Sequence, residues 1–476
     1  MSSIFAALGT AGNALDVLEQ AMAVVQNNVS NASTPGYVTQ TLQLNARLFD
    51  PSNNAWGGLA AGNVQSSRSV FAENSVWAAN QQVGSATQQS TALQAVQGSF
   101  DVTGTNGIPG ALSSLYSAFS AWSNAPDNAT NQQQVLAAAK TVVQAFNTTA
   151  SSIDSVRAQA NQQTQTAVKQ INLLSSQIAA VNGQIRDGGQ HDGGLDAQLY
   201  SNLEQLSNLV DISVQTESDG TVSVLMGGQI PLVTGETANP LSVSASNPPG
   251  GSASGPPPQQ IIAANGQDVT DKVQQGQLGG LLQITNSVLP SIGGGSNQQG
   301  TLNQLAQSFA DRVNTLLTSG QTASGAAGVP LFTYNSASSS STAGTLAINP
   351  SMTPSQLAAV DPGPPRVANG IADKLSQLQN PSSPSDKING LSYTDFYSSI
   401  ATNVGSLASS ASQEQITSQQ TLTQAQNARS QLSGVSLNDQ AAALLEFQDA
   451  YQASAQAFST IRNTITYLLQ TMQSLQ

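Results

Sequence analysis

The chain has 476 residues, of which only 8% are charged against about 25% in an ordinary globular domain, and its formal net charge is −13. Thirteen scattered Lys and Arg argue against a partner with a phosphate backbone, so no nucleic acid is expected. The absence of cysteine excludes disulfides and thiol chemistry, and the one histidine, His191, excludes a His-based triad or a multi-His metal centre within one chain.

The length suits two to four domains. No stretch approaches 18 uninterrupted apolar residues, so no membrane insertion is expected. Met1-Ser2-Ser3 lacks a basic leader, which leaves a cytoplasmic chain or one exported without a cleaved signal peptide.

Ser2 or Ser3 can cap a first helix over residues 4–29. Ile4, Leu8, Ala11, Leu15, Leu18, Met22, Val25 and Val29 alternate at steps of three and four, the heptad seam of a coiled coil. Phe5, Ala7, Val17, Ala21 and Val24 lie off the seam, so the helix has apolar surface to spare. It ends in the Asn- and Ser-rich run 27–34, and Pro35-Gly36 marks a turn.

Residues 38–80 read as extended and irregular, leading through Phe71, Val76 and Trp77 into a Gln-rich helical region up to Gln97. Helical spacing returns over 108–122. A long helix is expected over about 131–182, its buried face including Val135, Val142, Phe146, Ile153, Ile171, Leu174 and Ile178. Residues 188–194 read as a Gly-rich loop; His191-Asp192 within it has no second ligand cluster and is expected to be solvated. After a short helix at 195–209, alternation on either side of Asp219-Gly220 predicts a β-hairpin, and 227–235 adds a strand. Gly227-Gly228 lacks the lysine and following helix of a phosphate loop. Residues 240–260 are rich in Pro, Gly and Ser. Leu278–Leu282 reads as a strand–turn signal before a long helix through Leu302, Leu305, Phe309 and Val313. Segments 328–333 and 346–350 read as a two-stranded arm, and another long helix runs from Tyr393 to Gln431.

Ser436 and Asp439 then open a terminal helix. Leu444, Phe447, Tyr451, Phe458, Ile461, Ile465, Leu468, Met472 and Leu475 keep a second heptad seam, broken only by Ser454. Its flanks carry Leu445, Ala450, Ala453, Ala457 and Leu469 where a two-stranded coiled coil normally carries charges. Two helices with spare apolar faces, at opposite ends of the chain, are expected to pair with each other and then with further copies.

The run Asn-Asn-Val-Ser-Asn-Ala-Ser-Thr-Pro-Gly-Tyr, residues 27–37, resembles the signature of the bacterial flagellar axial proteins: rod, hook and hook-associated proteins. The motif positions are Asn28, Asn31, Pro35, Gly36 and Tyr37. Rod and hook members usually carry Phe where Tyr37 stands, and Tyr is similar to the hook-associated junction members. "SGVSLND" at 433–439 with Phe447–Ala455 resembles the family's C-terminal signature, and "LGGLL" and "NSVLP" resemble the middle of the junction members. The chain departs from the family at Tyr200–Leu203, where an Arg-Asp-Gln-Leu run is frequent.

The resulting expectation is a mainly α fold with a β-rich inserted domain, its terminal helices paired as a coiled coil followed by an elongated helical bundle. Residues 1–34 and 436–476 would form the assembly domain. Residues 35–194 and 286–435 would form the bundle, with a small β arm near 329–350, and 195–285 the outer β-rich domain. The resemblance implies a structural, non-enzymatic role without cofactor, on the extracellular flagellum, joining hook to filament. The implied partners are copies of itself, hook subunits, a second junction protein or filament subunits, and an export chaperone. The alternatives are another axial protein (second junction protein, hook or filament subunit), or a surface glycan-binding or glycan-cleaving protein using Asp211, Glu217 or Asp219.

Overall fold

The two chain ends lie side by side. In the structure, a computed structural model that describes residues 2–50, 55–101, 106–189, 192–245 and 255–474, helix α1 (Ser2–Ser30) packs on a terminal helix that begins at Leu437 and ends at Ser474. After α1 the chain forms an antiparallel hairpin, β1 (Gln40–Ala46) with β4 (Leu59–Ser66), extended at its tip by β2 (Phe49–Asp50) and β3 (Ala55–Trp56). The hairpin lies along α1.

The body is built on long helices: α2 (Val70–Gln97), α3 (Gly107–Asn124) and α4 (Ala129–Gln184). At 56 residues α4 is about 84 Å long, at 1.5 Å per residue. Side chains cap the helices at both of the sequence's polar breaks: Asn128 accepts from Thr130 and Asn131 at the start of α4, and Asp192 from Gly194 and Leu195 at the start of α5 (Gly193–Leu209). Then come the meander β5 (Ile212–Thr216), β6 (Val222–Met226), β7 (Ile230–Thr234) and β8 (Thr237–Ala238), all antiparallel, and the pair β9 (Ser242–Ala245) and β10 (Gln259–Ile262). Gly227 and Gly228, with φ of 56° and 68°, make the tight turn between β6 and β7 that only residues free of a Cβ adopt cheaply.

The return path is helical again. Helix α6 (Gly276–Gln283) continues through one π turn into α7 (Leu289–Gly293), and α8 (Thr301–Ser319) follows. The short pair β11 (Phe332–Thr333) and β12 (Ala347–Ile348) flanks α9 (Thr342–Thr345), then α10 (Gly370–Gln377), α11 (Tyr393–Ser433) and the terminal helix α12 (Leu437–Ser474). Leu278–Leu282 is thus helical, where the sequence suggested a strand and turn. Its glycines serve close approach: a Cβ on Gly280 would lie 2.5 Å from the Ser85 carbonyl oxygen of α2. The arm does not project, because Leu331, Phe332 and Leu346 are buried in the bundle core.

Two apolar cores share α4. The first takes Val135 to Ile153 with α3, α8, α10 and α11, and centres on Phe309, edge-on to Tyr116 and Tyr393 at ring distances of 6.4 and 5.4 Å. The second takes Val168 to Ile185 with α5, the meander, Leu278, Leu282 and Trp77 of α2. The β region therefore shares its core with four helices, α2, α4, α5 and α6.

Asparagine amides tie distant segments of the body together. Asn182 and Asn172 of α4 each hold the backbone N–H and C=O of one residue in the β region, Val222 and Leu241. Asn286, on the π turn, does the same to Gln259, and Asn314 to Phe332. Each clamp satisfies a donor and an acceptor at once, which a charged side chain cannot do.

Candidate functional site

Helices α1 and α12 run antiparallel. The Asn28 amide donates to Gln440 Oε1 at 2.8 Å near one end, and a Cβ on Gly12 would meet the Phe458 ring at 3.7 Å nearer the other. On α1, Leu18 and Val25 are buried and Ile4, Leu8, Ala11, Leu15 and Met22 half-buried. Val29 is 44% exposed; Val17, Ala21 and Asn28 are buried instead. The buried stripe drifts off the heptad toward the end of α1 because the hairpin, with Val38 and Gln40 buried, packs there too.

On α12, Leu444, Phe447, Tyr451, Phe458, Ile461 and Ile465 are half-buried along one face. Leu468 and Met472 are exposed, since α12 has 38 residues against 29 in α1 and its last turns run past the partner. Leu475 lies outside the described residues. Only Gln440 of α12 is fully buried. Leu445 is 63% exposed, Tyr467 70% and Leu469 44%, so the pair leaves a wide apolar face open.

The signature run forms the neck between this pair and the body. Asn28, 1% exposed, is its hub. Its Oδ1 accepts from the Gln40 backbone N–H and the Tyr37 hydroxyl, both at 2.9 Å; its Nδ2 donates to the Gln40 carbonyl and to Gln440, both at 2.8 Å. One amide thus joins α1, the hairpin and α12. Asn31 works locally: its Nδ2 donates to Asn27 and its Oδ1 accepts from Thr34. Pro35 is exposed at the turn. Gly36 has φ of 76°, and a Cβ there would lie 2.4 Å from the Ala197 carbonyl, so the loop rests directly on α5. Burial, and then the Asp196 charge, raise the Tyr37 pKa and keep its hydroxyl a donor.

The outgoing chain is stitched to the same place. Ser433 and Gly434, at the end of α11, accept from Thr39, and the Ser433 hydroxyl donates to Ser67 and accepts from the Ser69 N–H. Beneath lies a buried ion cluster. Glu73, with 1% of its side chain exposed, binds Arg68 through Oε1 at 2.6 Å and Arg429 through Oε2 at 3.1 Å. Arg68 also binds Asp196 at 2.6 Å and the Gly36 carbonyl at 2.7 Å, with its guanidinium 3.7 Å above the Tyr200 ring. Arg429 also binds Glu204 at 2.7 Å. Burial works to lower the Arg429 pKa, but Glu204 and Glu73 outweigh it and raise it. Sequence reasoning missed Gln440, Arg68, Glu73, Asp196, Glu204 and Arg429. In a chain with so few charges, each isolated Arg, Glu or Asp among polar neutral residues was the available signal.

Of the candidate acidic residues, Asp211 precedes β5 while Glu217 and Asp219 lie beyond its far end. Asp219 is bound by the backbone and hydroxyl of Thr221 in its turn, which lowers its pKa. Among the described residues no group of three or more His, Asp or Glu could hold a metal, and no helix is long and apolar enough to cross a membrane. His191 lies outside the described residues.

Asp211 is half-buried, and burial pushes its pKa up to about 7. Between about pH 4 and 7 it stays protonated in the fold while its unfolded counterpart ionises, so it removes stability as pH rises through that window. Asp211→Asn should flatten this slope and raise stability above pH 7 by on the order of 1–2 kcal/mol, allowing for its partial exposure. Chemical denaturation at pH 4.5 and 7.5 measures it; an unchanged slope contradicts the assignment.

Residues 93–332 match the family profile described as the flagellar hook-associated protein FlgK helical domain, and residues 8–37 match that of the flagella basal body rod protein. The chain belongs to the flagellar hook-associated protein FlgK family. The FlgK match spans much of both cores, and the rod match covers most of α1 and the signature run. The flagellar hook-associated protein 1 of Bacillus subtilis is 25% identical over 486 residues, covering 96% of each chain. That of Salmonella typhimurium is 27% identical over 71% of this chain, which spans only 60% of that longer relative. The fold is similar to the flagellar hook junction protein FlgK from Burkholderia pseudomallei, with a TM-score of 0.65 at 16% identity over 76% of this chain and all of that one. Family membership carries a structural role at the hook–filament junction of the bacterial flagellum.

Proposed function

We propose that copies of this chain assemble through the open faces of the α1–α12 pair into a layer between hook and filament, with the helical body and β region displayed outside. The observation that carries this is the terminal pair itself. Apart from Leu18 and Val25 its inner seam is only half-buried within one chain, and Leu445, Tyr467 and Leu469 remain exposed on a helix with few charges to keep it soluble. Further copies cover those faces, and the hook below and a second junction protein or filament subunits above continue the stack. An export chaperone shields the same faces before assembly. The residues that act are Ile4 to Met22 and Leu444 to Ile465 of the two seams, with Asn28 and the neck holding them in place. No catalysis or cofactor is involved.

A strain lacking the chain tests this. It should build hooks, carry no filaments and release filament subunits into the medium, because they find no layer to stack upon. Normal filaments on such cells overturn the proposal.

A further inference from the structure

We propose that the Arg68 cluster is a positioning site that fixes the angle at which the terminal helix pair leaves the body, and with it the geometry in which copies stack. The link to stacking rests on the assembly reading above; the joint itself does not.

The incoming and outgoing chains are tied where they pass each other, by the bonds from Thr39 and Ser67 to Ser433 and Gly434. These bonds tie the two passing strands of chain to each other and reach neither α2 nor α5. The cluster supplies that anchor. Glu73 turns one oxygen to Arg68, on the link between the hairpin and α2, and the other to Arg429, one turn before α11 ends. Both arginines continue to α5, through Asp196 and Glu204. The inbound chain, the outbound chain, α2 and α5 are thereby fixed to one another.

The chemistry suits orientation more than stability. Taking ions from water offsets most of what their attraction returns, whereas a planar guanidinium accepts partners in few directions. Arg68 is held in that plane by Tyr200, whose ring stacks on Trp77 at 5.9 Å.

The chain has no native cysteine, so introduced ones are its sole labelling sites. Gln26→Cys on α1 and Lys169→Cys on α4 are exposed and outside the cluster. Double electron–electron resonance on the spin-labelled full chain should give one narrow distance. Arg68→Met should broaden it while the body's melting temperature holds, and Arg68→Lys should restore it only in part. A merely structural Arg68 would lower the melting temperature and leave the distance narrow. A narrow distribution in Arg68→Met, or a broad one in the parent, overturns the joint. Should Arg68→Met not fold, Asp196→Asn, which removes Arg68's own anchor on α5, carries the same comparison. Normal filaments on cells whose Arg68→Met chain gives the broadened distance overturn the link to stacking. None of these outcomes bears on the seam variants, which test the assembly reading separately.

Discussion

Asn28→Ala should release the terminal helices from the body while leaving the body folded. The substitution strands the N–H and C=O of Gln40 in a site that is almost fully buried, and removes the partner of Gln440 on α12. Each buried polar group left unpaired costs about 1–3 kcal/mol, so two or more cost roughly 2–6 kcal/mol. The two apolar cores contribute no contact at Asn28 and lose nothing. The loss is therefore local: α1, the hairpin and α12 come apart at the neck. Hydrogen exchange should show the Gln40 amide losing protection, with α3 and α8 unchanged. Asn28→Asp should fare little better, since a carboxylate can accept from the Gln40 N–H and Tyr37 but cannot donate to the Gln40 carbonyl or Gln440. Undiminished protection at Gln40 in either variant would contradict this account of the neck.

Leu18→Asp should abolish assembly. Leu18 is 6% exposed on α1, whose main packing partner is α12. An uncompensated charge in such a position costs on the order of 3–5 kcal/mol, unless the group neutralises or swings into water. The neighbouring acidic side chains on α1 are Asp16 and Glu19, which add repulsion and offer no counter-ion. Within one chain the seam is only half-buried elsewhere and has little binding energy to spare. The pair should open and the layer of copies should not form. Circular dichroism and thermal melting of the body should match the parent, because both cores lie outside the pair.

The helices were the most legible part of this chain. Ile4 to Val25 and Leu444 to Ile465 declare their faces through spacing alone, as do Phe309 and its neighbours on α8. Leu278–Leu282 was misread because its glycines looked like a turn, and only the contact of Gly280 with Ser85 shows that they let two helices touch. Val29 was counted in the seam because a heptad carries on to the end of a helix, whereas the hairpin competes for that end and buries Asn28. The neck was half legible. Its loop residues stood out, but not that one amide would bind three segments. Gln440, Arg429 and Glu204 all lie far from Asn28 and Arg68 in sequence, and no local pattern joins them. Nor does any local pattern mark Asn172, Asn182, Asn286 and Asn314 as clamps.

The central claim, that this chain works by assembling through its paired ends, is tested most directly by electron microscopy of cells lacking it and supplied with one of three versions. The parent chain and Asp211→Asn, which alters the β region far from the pair, should both restore filaments on hooks. Leu18→Asp should be made and exported yet leave bare hooks. Filaments restored by Leu18→Asp at the parent's frequency would contradict the account.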